Sequence, residues 1–145
     1  MSTIEVVAGI IVNPQGRTLM VRKRGTNVFI QPGGKPEPGE TAAVALLREL
    51  HEELGLAMAE SDLEYLGEFE SAAANEPGFR VRSQTFWCHA DVRDVTVAAE
   101  IAEARWVSLT DSSIDIAPLS SEHFFPLIQS RPHPIGRGPK IGTWR

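Results

Sequence analysis

The sequence predicts an α/β fold, and three observations carry that expectation. Apolar runs rich in Val and Ile recur along the chain, an amphipathic helical segment interrupts them at Ala42–Leu54, and a second helical segment follows at residues 120–129. The chain has 145 residues, a length suited to one domain. It is 42% hydrophobic and 23% charged, which argues against disorder, collagen-like repeats and coiled coil. Cys88 is the sole cysteine, which excludes an intrachain disulfide framework and a CxxC zinc site.

Residues 4–12 form a nearly continuous apolar run, read as a buried strand. Asn13-Pro14-Gln15-Gly16 is a turn, and residues 18–21 are the returning strand, ending at the basic Arg22-Lys23-Arg24. Residues 28–31 are a short extended piece. Pro32 to Gly39 is a loop too rich in Pro and Gly to be helical. Thr41 is placed to cap the helix that follows, along which Ala43, Leu46, Leu47, Leu50 and Leu54 recur at helical spacing until Gly55 stops it. Residues 63–69 and 81–92 read as strands separated by a small-residue loop at 71–78. Residues 104–109 read as a last short strand. The final helix, at 120–129, contains Pro126, which predicts a late start or a distorted first turn.

Glu49, Glu52 and Glu53 carry the chemical signal. At helical spacing they fall at about 0°, −60° and +40°, so all three carboxylates leave one side of the helix. The apolar stripe of Ala43, Leu47, Leu50 and Leu54 lies apart from them, at about 100° to 160°. Such like charges repel and weaken an isolated helix. Either the face is solvated or a cation offsets the repulsion, and three oxygen donors suit a hard ion such as Mg²⁺ or Mn²⁺. Before the helix, a loop ending in Gly34 lets backbone approach a ligand closely. Glu40 and Arg48 are placed to pair and hold that loop on the helix.

Gly34, Glu40, Arg48-Glu49-Leu50, Glu52-Glu53 and Gly55-Leu56 together fill G-x5-E-x7-R-E-U-x-E-E-x-G-U, where U is a bulky aliphatic residue. This resembles the complete Nudix box, and the chain is similar to MutT-like Nudix hydrolases. The resemblance implies the Nudix fold, an α/β/α sandwich with a central mixed sheet and a catalytic helix after the Gly-rich loop. It implies a pyrophosphohydrolase in which water attacks phosphorus of a nucleoside diphosphate linked to another group, assisted by Mg²⁺ or Mn²⁺. It makes Glu49, Glu52, Glu53 and the Gly34 carbonyl metal ligands, and Glu40 and Arg48 structural supports. The general base stays open between Glu49 within the box and Glu100 outside it; Glu103 is a further candidate near the Arg105-Trp106-Val107 strand.

Arg22, Lys23, Arg24, Arg80 and Arg82 are the candidate phosphate-binding residues, the last two on one strand face by their period-2 spacing. Phe29 and Phe79 are candidates to stack on a base or to pack in the core. His51 falls away from the carboxylate face, and Cys88 reads as a small buried hydrophobe. The expected substrate is a small-molecule nucleotide, a nucleoside triphosphate first, with ADP-ribose, ADP-sugars or dinucleoside polyphosphates as alternatives. A non-catalytic nucleotide-binding module is a further alternative. Guanine readout in MutT-like members uses an Asn late in the chain. Asn here stands only at 13, 27 and 75, so the resemblance does not extend to an 8-oxo-dGTP specialisation.

The formal charge of -5 hides an uneven distribution. The expected catalytic domain is residues 1–130, and residues 131–145 form a Pro- and Gly-containing tail whose charges, Arg131, Arg137, Lys140 and Arg145, are all basic. The acidic body disfavours duplex nucleic acid, which is bound by neutralising phosphates, but it accommodates a diphosphate bridged by metal. The tail offers a surface to an acidic partner or to a second copy in a homodimer. No apolar run reaches the roughly 18 residues of a membrane span, and the N-terminus lacks a basic signal region. The expectation is a cytoplasmic protein with no membrane partner.

Overall fold

The computed structural model describes residues 2–98 and 100–131. Four strands make the central sheet: β1 (Thr3–Ile10), β4 (Gly33–Gly34), β5 (Leu63–Ala72) and β6 (Arg80–Cys88), in the order β4-β1-β6-β5. The sheet is mixed, with β1 parallel to β6 and antiparallel to β4, and β5 antiparallel to β6. β2 (Thr18–Lys23) pairs antiparallel with β7 (Ile101–Val107), and β3 (Val28–Phe29) pairs parallel with β8 (Asp115–Ile116).

The continuous apolar runs are strands buried on both faces. Val7 packs in one core while Ala8 packs in the other, and the same alternation separates Leu19 and Val21 from Met20, and Phe86 and Cys88 from Trp87. Helix α1 (Ala42–Leu54) fills the first core with Ala45, Leu46, Leu50 and Leu54. The second core is closed by a π-helical stretch, Leu119–Phe124, running into α2 (Phe125–Ser130), through Phe124, Phe125 and Ile128. Helices thus cover opposite faces of a mixed sheet, as the α/β/α expectation requires.

α1 begins and ends where its residues dictate. Thr41 is extended and its hydroxyl accepts from the Val44 N–H at 3.2 Å, while Gly55 takes the left-handed conformation (φ 68°) that stops the helix. The C-terminal helix is distorted as Pro126 predicts. Its wide turn shows in the Phe125 N–H bonding to Ser120 O, five residues back.

Several strand ends differ from expectation. β5 runs on to Ala72 because Glu70, Ser71 and Ala72 pair with Arg82, Val81 and Arg80. β6 stops at Cys88, opposite the first residue of β5, so residues 89–92, expected as its end, are not strand. β7 starts at Ile101, earlier than the expected 104. Gly33–Gly34 is also an edge strand on β1 rather than pure loop. A Cβ at Gly33 would overlap the Val7 carbonyl, so only glycine lets the two backbones meet there.

Within the expected tail, Arg131 is anchored. Its guanidinium lies 4.2 Å from the Trp87 ring centroid and pairs with Glu64 at 2.9 Å. Residues 132–145, where the rest of the tail was placed, lie outside the described residues. Among the described residues no helix is long and apolar enough to cross a membrane.

Candidate active site

The site is built where the edge strand β4 passes over α1. Glu53 is almost wholly buried (2% exposed), and its Oε1 accepts the Gly33 N–H at 3.2 Å. Burial pushes its carboxyl up to about 8; the Gly33 bond opposes this and the neighbouring Glu49 charge reinforces it. Glu49 is also raised, first by burial, with the hydrogen bond from Arg48 opposing. Its carboxylate packs against Gly34 so closely that a Cβ there would collide with it.

Arg48 ties the loop to the helix. It grips Glu40 with two parallel bonds, Nε to Oε2 at 2.6 Å and Nη2 to Oε1 at 2.8 Å. Nη2 also donates to the Lys35 carbonyl at 3.2 Å, and Nη1 donates to Glu49 at 3.2 Å and Glu52 at 3.3 Å. Glu40 additionally accepts the Glu37 N–H at 2.7 Å. The Arg48 bonds hold the Glu40 carboxyl down to about 2. The expected support pair is therefore formed, with Arg48 at its centre.

The three glutamates leave one side of α1 but do not share one environment. Glu53 lies beneath Gly33, Glu49 lines a cleft, and Glu52 is turned outward to Arg48, its side chain 59% exposed. Among the described residues, no three His, Cys, Asp or Glu side chains are gathered tightly enough to hold a metal ion. The donor chemistry nevertheless suits a hard cation. Two mutually repelling carboxylates are desolvated beside glycine backbone, and a positive charge there relieves both the burial cost and the repulsion.

The cleft has a volume of about 450 Å³. Lys23, Gly34, Lys35, Arg48, Glu49 and Glu100 line it on the α1 side. Val6, Val81, Leu119 and Phe124 line it on the other, together with the polar Gln31 and Ser120. Residues 72–76, from the loop between β5 and β6, also line it. Glu100 is thus at the cleft, whereas Glu103 is spent on Arg105 at 2.7 Å and Arg22 at 3.5 Å.

Of the residues expected to bind phosphate, the four arginines Arg22, Arg24, Arg80 and Arg82 do not line this cleft. Arg22 bonds the Thr26 carbonyl at 2.9 Å and pairs with Glu103. Arg24 donates its backbone N–H to the Glu100 carbonyl at 3.0 Å. Arg80 and Arg82 do share a strand face, but it is the one bearing their partners. Arg80 pairs with Glu70 at 2.9 Å, and Arg82 pairs with Glu5 at 2.7 Å and Glu68 at 3.2 Å. Val81, between them, points to the cleft instead. Of the basic trio ending β2, Lys23 is the cleft residue. The strand register shifts between Arg22 and Lys23, and the Lys23 charge lowers the carboxyl values of both Glu49 and Glu53.

The remaining candidates sort by burial. Phe29 is core, with Arg105 over its ring at 4.8 Å, while Phe79 is 39% exposed. His51 is exposed and Cys88 is buried, its thiol pushed up to about 12 by burial. Lys35, Gln31 and Ser120 were not singled out from sequence. Lys35 was visible only as a loop residue beside Gly34. The other two are isolated polar residues 89 positions apart, with no local pattern to join them.

Residues 3–128 match the NUDIX domain. The 8-oxo-dGTP diphosphatase of Haemophilus influenzae is 39% identical over 71 residues, covering 46% of this chain and 52% of that protein. An RNA pyrophosphohydrolase of Legionella pneumophila is 45% identical over 58 residues, covering 40% of this chain and 32% of the relative. The chain thus spans about half or less of the length of these curated relatives. Among solved structures, the MutT protein of Methanosarcina mazei Go1 superposes with a TM-score of 0.69 at 25% identity, covering 88% of this chain and 94% of that one. A MutT NUDIX hydrolase from Burkholderia pseudomallei superposes with a TM-score of 0.68 at 20% identity, covering 88% and 96%, and so speaks to the fold alone.

Proposed function

This chain belongs to the NUDIX domain family, and we propose that it is a divalent-metal-dependent pyrophosphohydrolase acting on a nucleoside triphosphate. The observation that carries this reading is the Glu49–Glu53 pair, desolvated against the Gly33–Gly34 backbone, with Glu49 on a cleft of about 450 Å³. That volume suits one small ligand. The match to an 8-oxo-dGTP diphosphatase supports a free nucleotide as substrate, and the matches to RNA pyrophosphohydrolases support the same chemistry on RNA.

Glu49, Glu53 and the Gly34 carbonyl would hold Mg²⁺ or Mn²⁺, joined by Glu52 from the same helix side. The ion would supply charge neutralisation of the diphosphate and a lowered pKa for bound water. The chain's own groups do the rest. Lys23 and Lys35 line the cleft as cations for phosphate oxygens, and Arg48 keeps the loop against the helix. Either Glu49 or Glu100, both at the cleft, accepts the proton of the water that attacks phosphorus.

Turnover of triphosphates, ADP-ribose and dinucleoside polyphosphates, read by chromatography of the nucleotide products with and without Mg²⁺, tests the reading. Mg²⁺-dependent turnover strongest on triphosphates is expected. Turnover confined to ADP-ribose or to dinucleoside polyphosphates would replace the substrate assignment.

A further inference from the structure

The apolar side of the cleft contains one polar feature, the buried pair Gln31 (5% exposed) and Ser120 (1% exposed). The direction of its hydrogen bonds follows from the groups around it. Gln31 Nε2 faces the Gly9 carbonyl at 3.4 Å and Thr18 Oγ1 at 3.2 Å. The carbonyl can only accept. Thr18 spends its own hydrogen on the Ile11 carbonyl at 3.2 Å, so its oxygen accepts from Gln31. The amide nitrogen of Gln31 is therefore fixed on that side, with both hydrogens used, and Oε1 on the other. Oε1 accepts the Ser120 hydroxyl at 3.2 Å, which uses the one hydrogen Ser120 has.

The pair lines the cleft with no side-chain hydrogen left to offer: what it keeps is lone pairs, on Ser120 Oγ and Gln31 Oε1. A ligand that placed a carbonyl there would bury acceptor against acceptor, and one that placed an N–H there would satisfy both. Apolar walls from Val6, Val81, Leu119 and Phe124 fit a flat heteroaromatic ring. We propose that Gln31 and Ser120 form an acceptor-only floor that selects nucleotides whose base presents an exocyclic amino group. This rests on the reading of the cleft as a nucleotide site, and it assigns the two residues a part in base choice, away from the reacting phosphorus.

The test uses bases that differ by one amino group, as 5′-monophosphates binding to the full chain by calorimetry. The pairs are adenine against hypoxanthine, guanine against hypoxanthine, and cytosine against uracil. The amino-bearing member should bind about tenfold more tightly in at least one pair, and Ser120→Ala should shrink that ratio several-fold. Equal affinity within every pair would overturn the proposal, showing that the Ser120 hydroxyl turns to donate to an oxo base. A ratio unchanged in Ser120→Ala would remove Ser120 from the assignment and so overturn it as stated. If Ser120→Ala fails to fold, the wild-type pairs decide alone. The same bases assayed as triphosphates separate the two readings. An amino preference in binding without hydrolysis overturns the proposed activity and leaves the floor standing. No binding by any monophosphate overturns the floor, and hydrolysis of the triphosphates then decides the activity by itself.

Discussion

The Gly33 N–H donates to Glu53 Oε1 at 3.2 Å, joining the edge of the sheet to the buried end of the acidic helix face. This one bond connects the loop, the strand it forms and the carboxylate that burial raises to about 8. It also yields a pH dependence. The folded state of the metal-free protein keeps the Glu53 proton that the unfolded chain releases near its ordinary value of 4.5. Between those two values the folded state binds more protons, so stability falls as pH rises from about 4.5 to about 8. Glu53→Gln should flatten that slope in Tm measured against pH without metal. A variant with the wild-type slope would place the titration elsewhere.

Gly34 touches the Glu49 carboxylate, and a Cβ there overlaps it. Gly34→Ala should displace Glu49 and lower kcat by about a hundredfold, the scale of a displacement near 1 Å. An unchanged kcat in a steady-state assay would detach Glu49 from the reaction.

Arg48 holds Lys35, Glu40, Glu49 and Glu52 at once. Arg48→Lys keeps the charge and loses the fork. Limited proteolysis should then cut the loop between residues 35 and 40 faster than in the wild type, with lower activity. Equal cutting would show that the fork does not hold the loop.

Lys23 lines the cleft, whereas Arg80 and Arg82 are paired on the other sheet face. Lys23→Gln should raise KM, while Arg80→Gln and Arg82→Gln leave it near the wild-type value. Michaelis curves for the three variants check this, and the reverse order would restore the two arginines as substrate ligands.

Leu50 is fully buried in the core under α1. Leu50→Ala should cost about 2–5 kcal/mol in urea unfolding. Thr41→Ala, losing the cap to Val44, should cost about 1 kcal/mol. A larger loss at Thr41 than at Leu50 would contradict the packing described.

Local signals were legible in the sequence. Thr41, the Leu46–Leu50–Leu54 spacing and Gly55 define α1 within a few residues of one another, and Glu40 and Arg48 are close enough in the chain to be paired by inspection. The central mixed sheet was expected only through the family resemblance, since strand order depends on contacts between distant segments. The same limit explains the arginines. Period-2 spacing puts Arg80 and Arg82 on one face, but which face depends on Glu5, Glu68 and Glu70 from two other strands. The Gln31–Ser120 pair is joined only by the fold, across 89 residues. Lys23 differs from Arg22 by a register shift that no local pattern marks.

The proposed metal-dependent hydrolysis depends on the buried Glu53 acting with Glu49. The most direct test is conversion of nucleoside triphosphate to monophosphate and diphosphate, followed by chromatography of the nucleotides, for wild type and Glu53→Gln across a Mg²⁺ titration. Mg²⁺-dependent turnover in the wild type and its near loss in a folded Glu53→Gln are expected. Full activity in that variant, or wild-type activity that survives chelation of divalent ions, would contradict the proposal.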